Sequence, residues 1–98
     1  MSGARVELLP EAQLEIEEAI DWYLARSVRA AEGLLRELDR GFDRIRRSPS
    51  ACPSFEAETR RYILAKYPYS IIFRQSPERF EIVAVAHHKR RPRYWIAR

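Results

Sequence analysis

Apolar and polar residues recur along this chain with two different periods, and the change falls near its middle. In the first half the period is helical. Ala12, Ile16, Ala19, Ile20 and Tyr23 share one face, with Glu15, Glu17, Glu18 and Asp21 opposite, which predicts an amphipathic helix from 10 to about 26. Pro10 suits its first turn, where a missing N–H costs nothing, and Glu11 adds a carboxylate at the positive end. A second helix begins near Val28, with Ala31, Leu34, Leu35, Leu38, Phe42 and Ile45 as its apolar stripe. Its other face mixes Arg36, Asp39, Arg40 and Asp43, a pattern typical of a solvated surface. SPSACPS, residues 48–54, ends it with two prolines.

Before the helices, ARVELL at 4–9 reads as a short strand. After them the residue types turn to β-formers in TRRYILAK (59–66), YSIIFRQ (69–75) and FEIVAVA (80–86), the last two separated by the hairpin-sized SPER. Strand, two helices and three strands predict an α+β fold, β-α-α-β-β-β, with the helical hairpin on one face of a mixed, mainly antiparallel sheet. The second face is then partly open, with the cations of the second half on it or along its rim.

Composition narrows the class. At 98 residues the chain is read as one domain spanning 1–98. It has no apolar run near the 18 residues of a membrane span, and its start lacks a signal peptide's apolar region. Cys52 is the only cysteine, which excludes an internal disulfide and disfavours a zinc site. A reduced, cytoplasmic protein without metal or cofactor is expected. The three glycines, Gly3, Gly33 and Gly41, form no phosphate loop. Charge is unevenly placed: residues 1–49 hold 8 Lys/Arg and 10 Asp/Glu, residues 50–98 hold 10 Lys/Arg and 4 Asp/Glu. The basic half points to a polyanionic partner, whether RNA, DNA or an acidic protein segment.

Four stretches, in order, resemble the RelE/ParE superfamily of type II toxin–antitoxin toxins: PEAQLEIEEAIDWY on the first helix, RIRRSP at the end of the second, RRYILAKYPYSIIF, and AVAHHKRRPRYWIAR. The third has Tyr67 where the family has Phe. The resemblance covers nearly the whole chain. It implies a toxin that arrests growth and is neutralised by a cognate antitoxin, here expected to carry an acidic segment. RelE-like members cut messenger RNA in the ribosomal A site without a metal; ParE-like members poison DNA gyrase. A shared fold does not choose between these activities.

Metal-free cleavage needs groups to move protons and stabilise charge, and His87, His88 and Tyr94 are the candidates for a nuclease. Arg60, Arg61, Lys89, Arg90, Arg91, Arg93 and Trp95 are the candidates for binding target or nucleic acid. The resemblance also carries a departure. RelE-like nucleases place an arginine after the tyrosine of the YPYSIIF strand, where this chain has Ser70, and their last-strand arginine falls near His88. This favours a ParE-like gyrase poison; the alternatives are a RelE-like nuclease and a non-toxic module that binds antitoxin or RNA. Several residues also have structural readings. His87 continues the alternation Glu81, Val83, Val85, and a hydrogen bond to a neighbour would account for it. His88 reads as solvated at a fraying end. Trp95 is expected to fold back over the sheet with Trp22 or Phe73. Trp22 and Tyr23 read as packing residues, and one of Tyr67 and Tyr69 as core. Glu15, Glu17 and Glu18 read as an acidic solvated face, and Cys52 is assigned no chemistry.

Overall fold

The computed structural model describes residues 5–98. Residues 1–4, including Ala4 at the head of the expected first strand, lie outside the described residues. Strand β1 (Arg5–Leu8) leads into helices α1 (Pro10–Leu24) and α2 (Val28–Arg47), followed by β2 (Arg60–Ile63), β3 (Tyr69–Gln75) and β4 (Arg79–His87). The sheet order is β1-β4-β3-β2; β1 runs parallel to β4 and the other pairs are antiparallel. This is the expected α+β arrangement, with the last three strands as a meander. Among the described residues, no helix is long and apolar enough to cross a membrane.

Local chemistry accounts for the element ends. Pro10 opens α1, as a ring without an N–H can. Ser27 caps α2, its hydroxyl accepting the Ala30 N–H at 3.1 Å. The first helix stops at Leu24, two residues short of the expected end, because 25–27 must turn the chain and free Ser27 to cap. The prolines of 48–54 form a short 3-10 turn and then a bridge from Ser54 to Arg60. The Arg61 N–H also bonds the Pro53 carbonyl at 3.0 Å, so much of the outer edge of β2 is covered by its own chain. The intervening turn holds Ala57 and Glu58 at φ 56° and 58°. Two consecutive left-handed residues match the right-handed twist of a hairpin, and Ala-Glu is an unusual pair to supply them.

The main core lies between the helices and the sheet. Ala12, Ile16, Leu34, Leu38 and Ile45 meet Ile71, Phe73, Ile82 and Val85. Leu35 was expected in the α2 stripe but is 43% exposed. The buried positions are 31, 34, 37, 38, 41 and 45, and Leu35 falls beyond the edge of that face. Trp22 departs from its packing role too, at 51% exposed. Tyr23 takes the inward place and meets Tyr67 edge-on at 5.2 Å, while Trp22 turns outward beneath the Arg26 guanidinium, 3.6 Å from its ring centre.

A bulge in β4 changes which side chains face which way. Phe73 pairs with Ile82, but Ile72 pairs with Ala84, leaving Val83 as the extra residue. Before the bulge Phe80 and Ile82 face the helices; after it Val85 does. Val83, Ala84 and Ala86 join Ile72 and Trp95 in a second cluster on the opposite face. The simple alternation Glu81, Val83, Val85, His87 is therefore broken at Val83. The second face is also less open than expected, because the C-terminal segment folds back across it.

Candidate functional site

The C-terminal segment is fastened to the end of β4 by one carboxylate. β1 ends at Leu8, so β4 beyond Ile82 has no strand on that side. Glu15 of α1 takes over: its Oε1 accepts the Val85 N–H at 2.9 Å. Its Oε2 accepts the Tyr94 hydroxyl at 2.7 Å and an Arg98 guanidinium N–H at 3.0 Å. Arg98 also donates to the Val83 carbonyl at 3.2 Å. Two side chains thus satisfy the backbone of the unpaired edge, as buried polar groups require. The solvated reading of Glu15 is corrected: its side chain is only 10% exposed. The residue lies on the helical net between Ala12, Ile16 and Ala19, all buried, and that placement was the available signal.

This fastening decides the state of Tyr94. Two guanidinium groups lie over its ring, Arg90 at 3.8 Å and Arg98 at 5.1 Å from the ring centre. Burial, and then the hydrogen bond to Glu15, raise its pKa above the ordinary phenol value. Trp95 is 4% exposed. It covers the sheet as expected, but against Phe55, with ring centres 5.8 Å apart, rather than Trp22 or Phe73. So little of the indole is exposed that Trp95 serves chiefly to close the sheet, with its edge at the floor of a basic cleft on that face.

The two histidines part company. The His87 ring meets Tyr69 edge-on at 5.0 Å, on the helix side. Its Nδ1 accepts the Lys89 N–H at 3.0 Å, so the neutral ring carries its proton on Nε2. Burial first, then the nearby His88 and Lys89, hold its pKa below the usual imidazole value. His88 is exposed but not idle: its Nε2 lies 3.0 Å from the Ser70 hydroxyl, and its N–H bonds the Pro68 carbonyl at 2.9 Å. Ser70 is the residue that stands where a cation was looked for.

The cations divide as well. Arg60 donates to the Cys52 carbonyl at 2.6 Å and serves the fold. Arg93, at φ 64°, pairs with Glu56, and Arg90 leans toward Glu15 at 3.8 Å. Arg61 lies over the Phe55 ring at 4.2 Å, its buried Nε without a partner. A cleft of about 380 Å³ on the second face brings Arg61, Ser70, His88, Arg91 and Arg93 together, and His87 and Tyr94 reach its wall. Lys89 and Arg91 stay exposed and make no ion pair among the described residues. The arrangement offers an anion a basic, aromatic-floored cleft. Phe55 and Glu56 belong to it and were not singled out from the sequence; they are brought in by the 54–60 hairpin. Among the described residues no three His, Cys, Asp or Glu side chains converge on a metal position.

Comparison with known proteins gives this geometry a family. No curated protein sequence matches the chain. Among solved structures, one from the chromosomal ParDE toxin–antitoxin system of P. aeruginosa is similar, with a TM-score of 0.75 over 89% of this chain and 98% of that one. At 14% identity that likeness speaks for the fold alone. A family profile described as the ParE toxin of type II toxin–antitoxin system, parDE, matches residues 6–92. That match takes in both helices, all four strands but for Arg5, and the basic turn after them, and on it the chain belongs to the ParE toxin family of type II toxin–antitoxin systems.

Proposed function

We propose that this chain is a growth-arresting toxin that acts in the cytoplasm by poisoning DNA gyrase, and that an antitoxin with an acidic segment neutralises it. The observation that carries the target is the commitment of Tyr94. A nuclease without a metal needs a proton donor facing the leaving oxygen and cations around the phosphorane. Here the tyrosine hydroxyl donates to Glu15 and Ser70 replaces a cation. His87 packs edge-on against Tyr69 and His88 bonds Ser70, so each ring is already engaged by a different partner. Losing a preorganised charge at such a centre costs on the order of 10²–10³ in rate.

The second reading, a ribosome-dependent nuclease, has one observation in its favour: His87, His88 and Tyr94 all line the basic cleft with Arg61 and Arg91. One pair of assays separates the two. With gyrase, the toxin is expected to inhibit supercoiling and to build up cleaved DNA complexes. With ribosomes programmed with messenger RNA, it is expected to make no cut. A cut at the A-site codon that disappears in His88→Ala, with gyrase untouched, would overturn the gyrase reading.

A further inference from the structure

Helix α2 carries a second basic surface, away from the end of β4. Arg29, Arg36, Arg40 and Arg44 are all exposed. At about 100° per residue, the first three fall within about 40° of one another around the helix, and Arg44 lies about 40° beyond Arg40. At about 1.5 Å per residue the row is about 22 Å long. Arg29, Arg36 and Arg40 share one depression with Lys66 from the loop between β2 and β3. That loop is built onto the helix. Glu37 turns inward, 6% exposed, and its Oε1 accepts the N–H groups of Ala65 and Lys66 at 2.9 and 3.2 Å. The Tyr67 hydroxyl donates to the Ala30 carbonyl at 2.7 Å. One carboxylate beside the row is thus spent on holding Lys66 there.

The remaining acids of α2, Glu32, Asp39 and Asp43, lie along one flank, and Asp43 is engaged by Arg46 and Arg47 at 3.6 and 3.2 Å. Among the described residues, no carboxylate comes within ion-pair distance of Arg29, Arg36, Arg40, Arg44 or Lys66. Five neighbouring cations without ion-pair partners repel one another, and an external polyanion would relieve that. The row also lacks exposed apolar residues. Val28 and Leu35, 61% and 43% exposed, lie roughly 100° round the helix from it. An amphipathic acidic helix would need an apolar strip inside the row to seat its own. A sugar–phosphate backbone needs none, and guanidinium forks match phosphate oxygens in pairs.

We infer that the Arg29–Arg36–Arg40–Arg44 row of α2, with Lys66, is a docking surface for the phosphate backbone of a nucleic acid duplex. About 22 Å corresponds to about six phosphate steps of one strand. The contact is with backbone rather than bases, so it is independent of sequence and sensitive to salt. It does not require gyrase to be the target, although a poison of a DNA-bound enzyme would gain from such a contact.

The test is equilibrium binding of the purified full chain to a labelled 25-base-pair duplex across a salt series, with DNA and RNA duplexes of matched sequence. The wild type is expected to bind both DNA sequences of an unrelated pair equally. In Arg36→Gln/Arg40→Gln the slope of log affinity against log salt should become shallower by about two, with at least about a tenfold loss at low salt. Both substitutions are on an exposed helical surface, and circular dichroism checks that the fold is kept. Tighter binding of the DNA or of the RNA duplex identifies which backbone the surface serves. Three outcomes overturn the inference: no duplex binding at low salt, loss of binding in Lys89→Gln/Arg91→Gln instead, or a polyglutamate peptide that binds as tightly as the duplex and is lost in the same α2 variant.

Discussion

Glu15 concentrates more of the site on one side chain than any other residue. Removing it leaves the Val85 N–H, the Tyr94 hydroxyl and the Arg98 guanidinium without their shared acceptor. Breaking a buried, hydrogen-bonded charge pair costs about 3–5 kcal/mol; Arg98 is 16% exposed and regains some water, so about 3 kcal/mol is expected for Glu15→Ala. Urea unfolding measures it, and a loss below about 1 kcal/mol would mean the tail is held by Trp95 alone. His87 supplies a pH prediction. Its folded pKa is depressed, chiefly by burial, so the unfolded chain binds its proton more readily. The neutral ring then contributes stability that is complete above the unfolded value of about 6.5 and is lost as pH falls from there through the folded pKa. Denaturation curves between pH 8 and 5 should show that loss in the wild type and a smaller one in His87→Gln. Parallel curves would mean that other groups carry the pH dependence.

At the scale of elements, the packing of α2 on the β2–β3 loop depends on Gly33. A Cβ built there would lie 2.3 Å from the Tyr67 hydroxyl oxygen, while the next ring atom is 3.4 Å away. Tyr67 cannot simply swing aside, because its hydroxyl bonds Ala30 and its ring meets Tyr23. Gly33→Ala alone therefore loses about 1–3 kcal/mol by overpacking, more than the roughly 1 kcal/mol that alanine gains in a helix interior. Tyr67→Phe removes the offending oxygen. In that background Gly33→Ala should become stabilising by up to about 1 kcal/mol. Thermal melts of the four proteins give the sign directly, and a destabilising Gly33→Ala in both backgrounds would show that the clash is with something other than the hydroxyl.

For the whole molecule, the unequal charge of the two halves becomes a three-dimensional arrangement. The basic second half places Arg61, Arg91 and Lys89 around one end of the sheet. The first half, acidic in sum, still displays the arginine row, because Arg29, Arg36, Arg40 and Arg44 align along α2 while Glu32, Asp39 and Asp43 fall along its flank and Glu37 turns inward. Net charge by segment therefore understates the positive surface. An antitoxin with an acidic segment should be steered to it, so the association rate constant should fall steeply from 50 to 300 mM salt while dissociation changes little. Stopped-flow mixing with the cognate antitoxin checks this, and a flat association rate would show that charge does not guide the encounter.

Period and punctuation were enough to read the elements, their order, the meander and the covering role of Trp95, because these rest on interactions within a few residues or on a strong apolar drive. The basic end of β4 was legible for the same reason: it is contiguous in the chain. Partnerships were not legible. A period reports how a residue sits on its own element and says nothing of what lies opposite, so Glu15, joined to Tyr94 across 79 positions, read as solvated. One bulge at Val83 broke the alternation through Glu81, Val83, Val85 and His87 on which His87 had been read. Tertiary structure alone decided that Tyr94 is bound to a carboxylate, that Trp95 is closed off by Phe55, and that the loop carrying Lys66 completes the arginine row. Each of these joins elements that only the folding of the sheet against the helices brings within bonding distance.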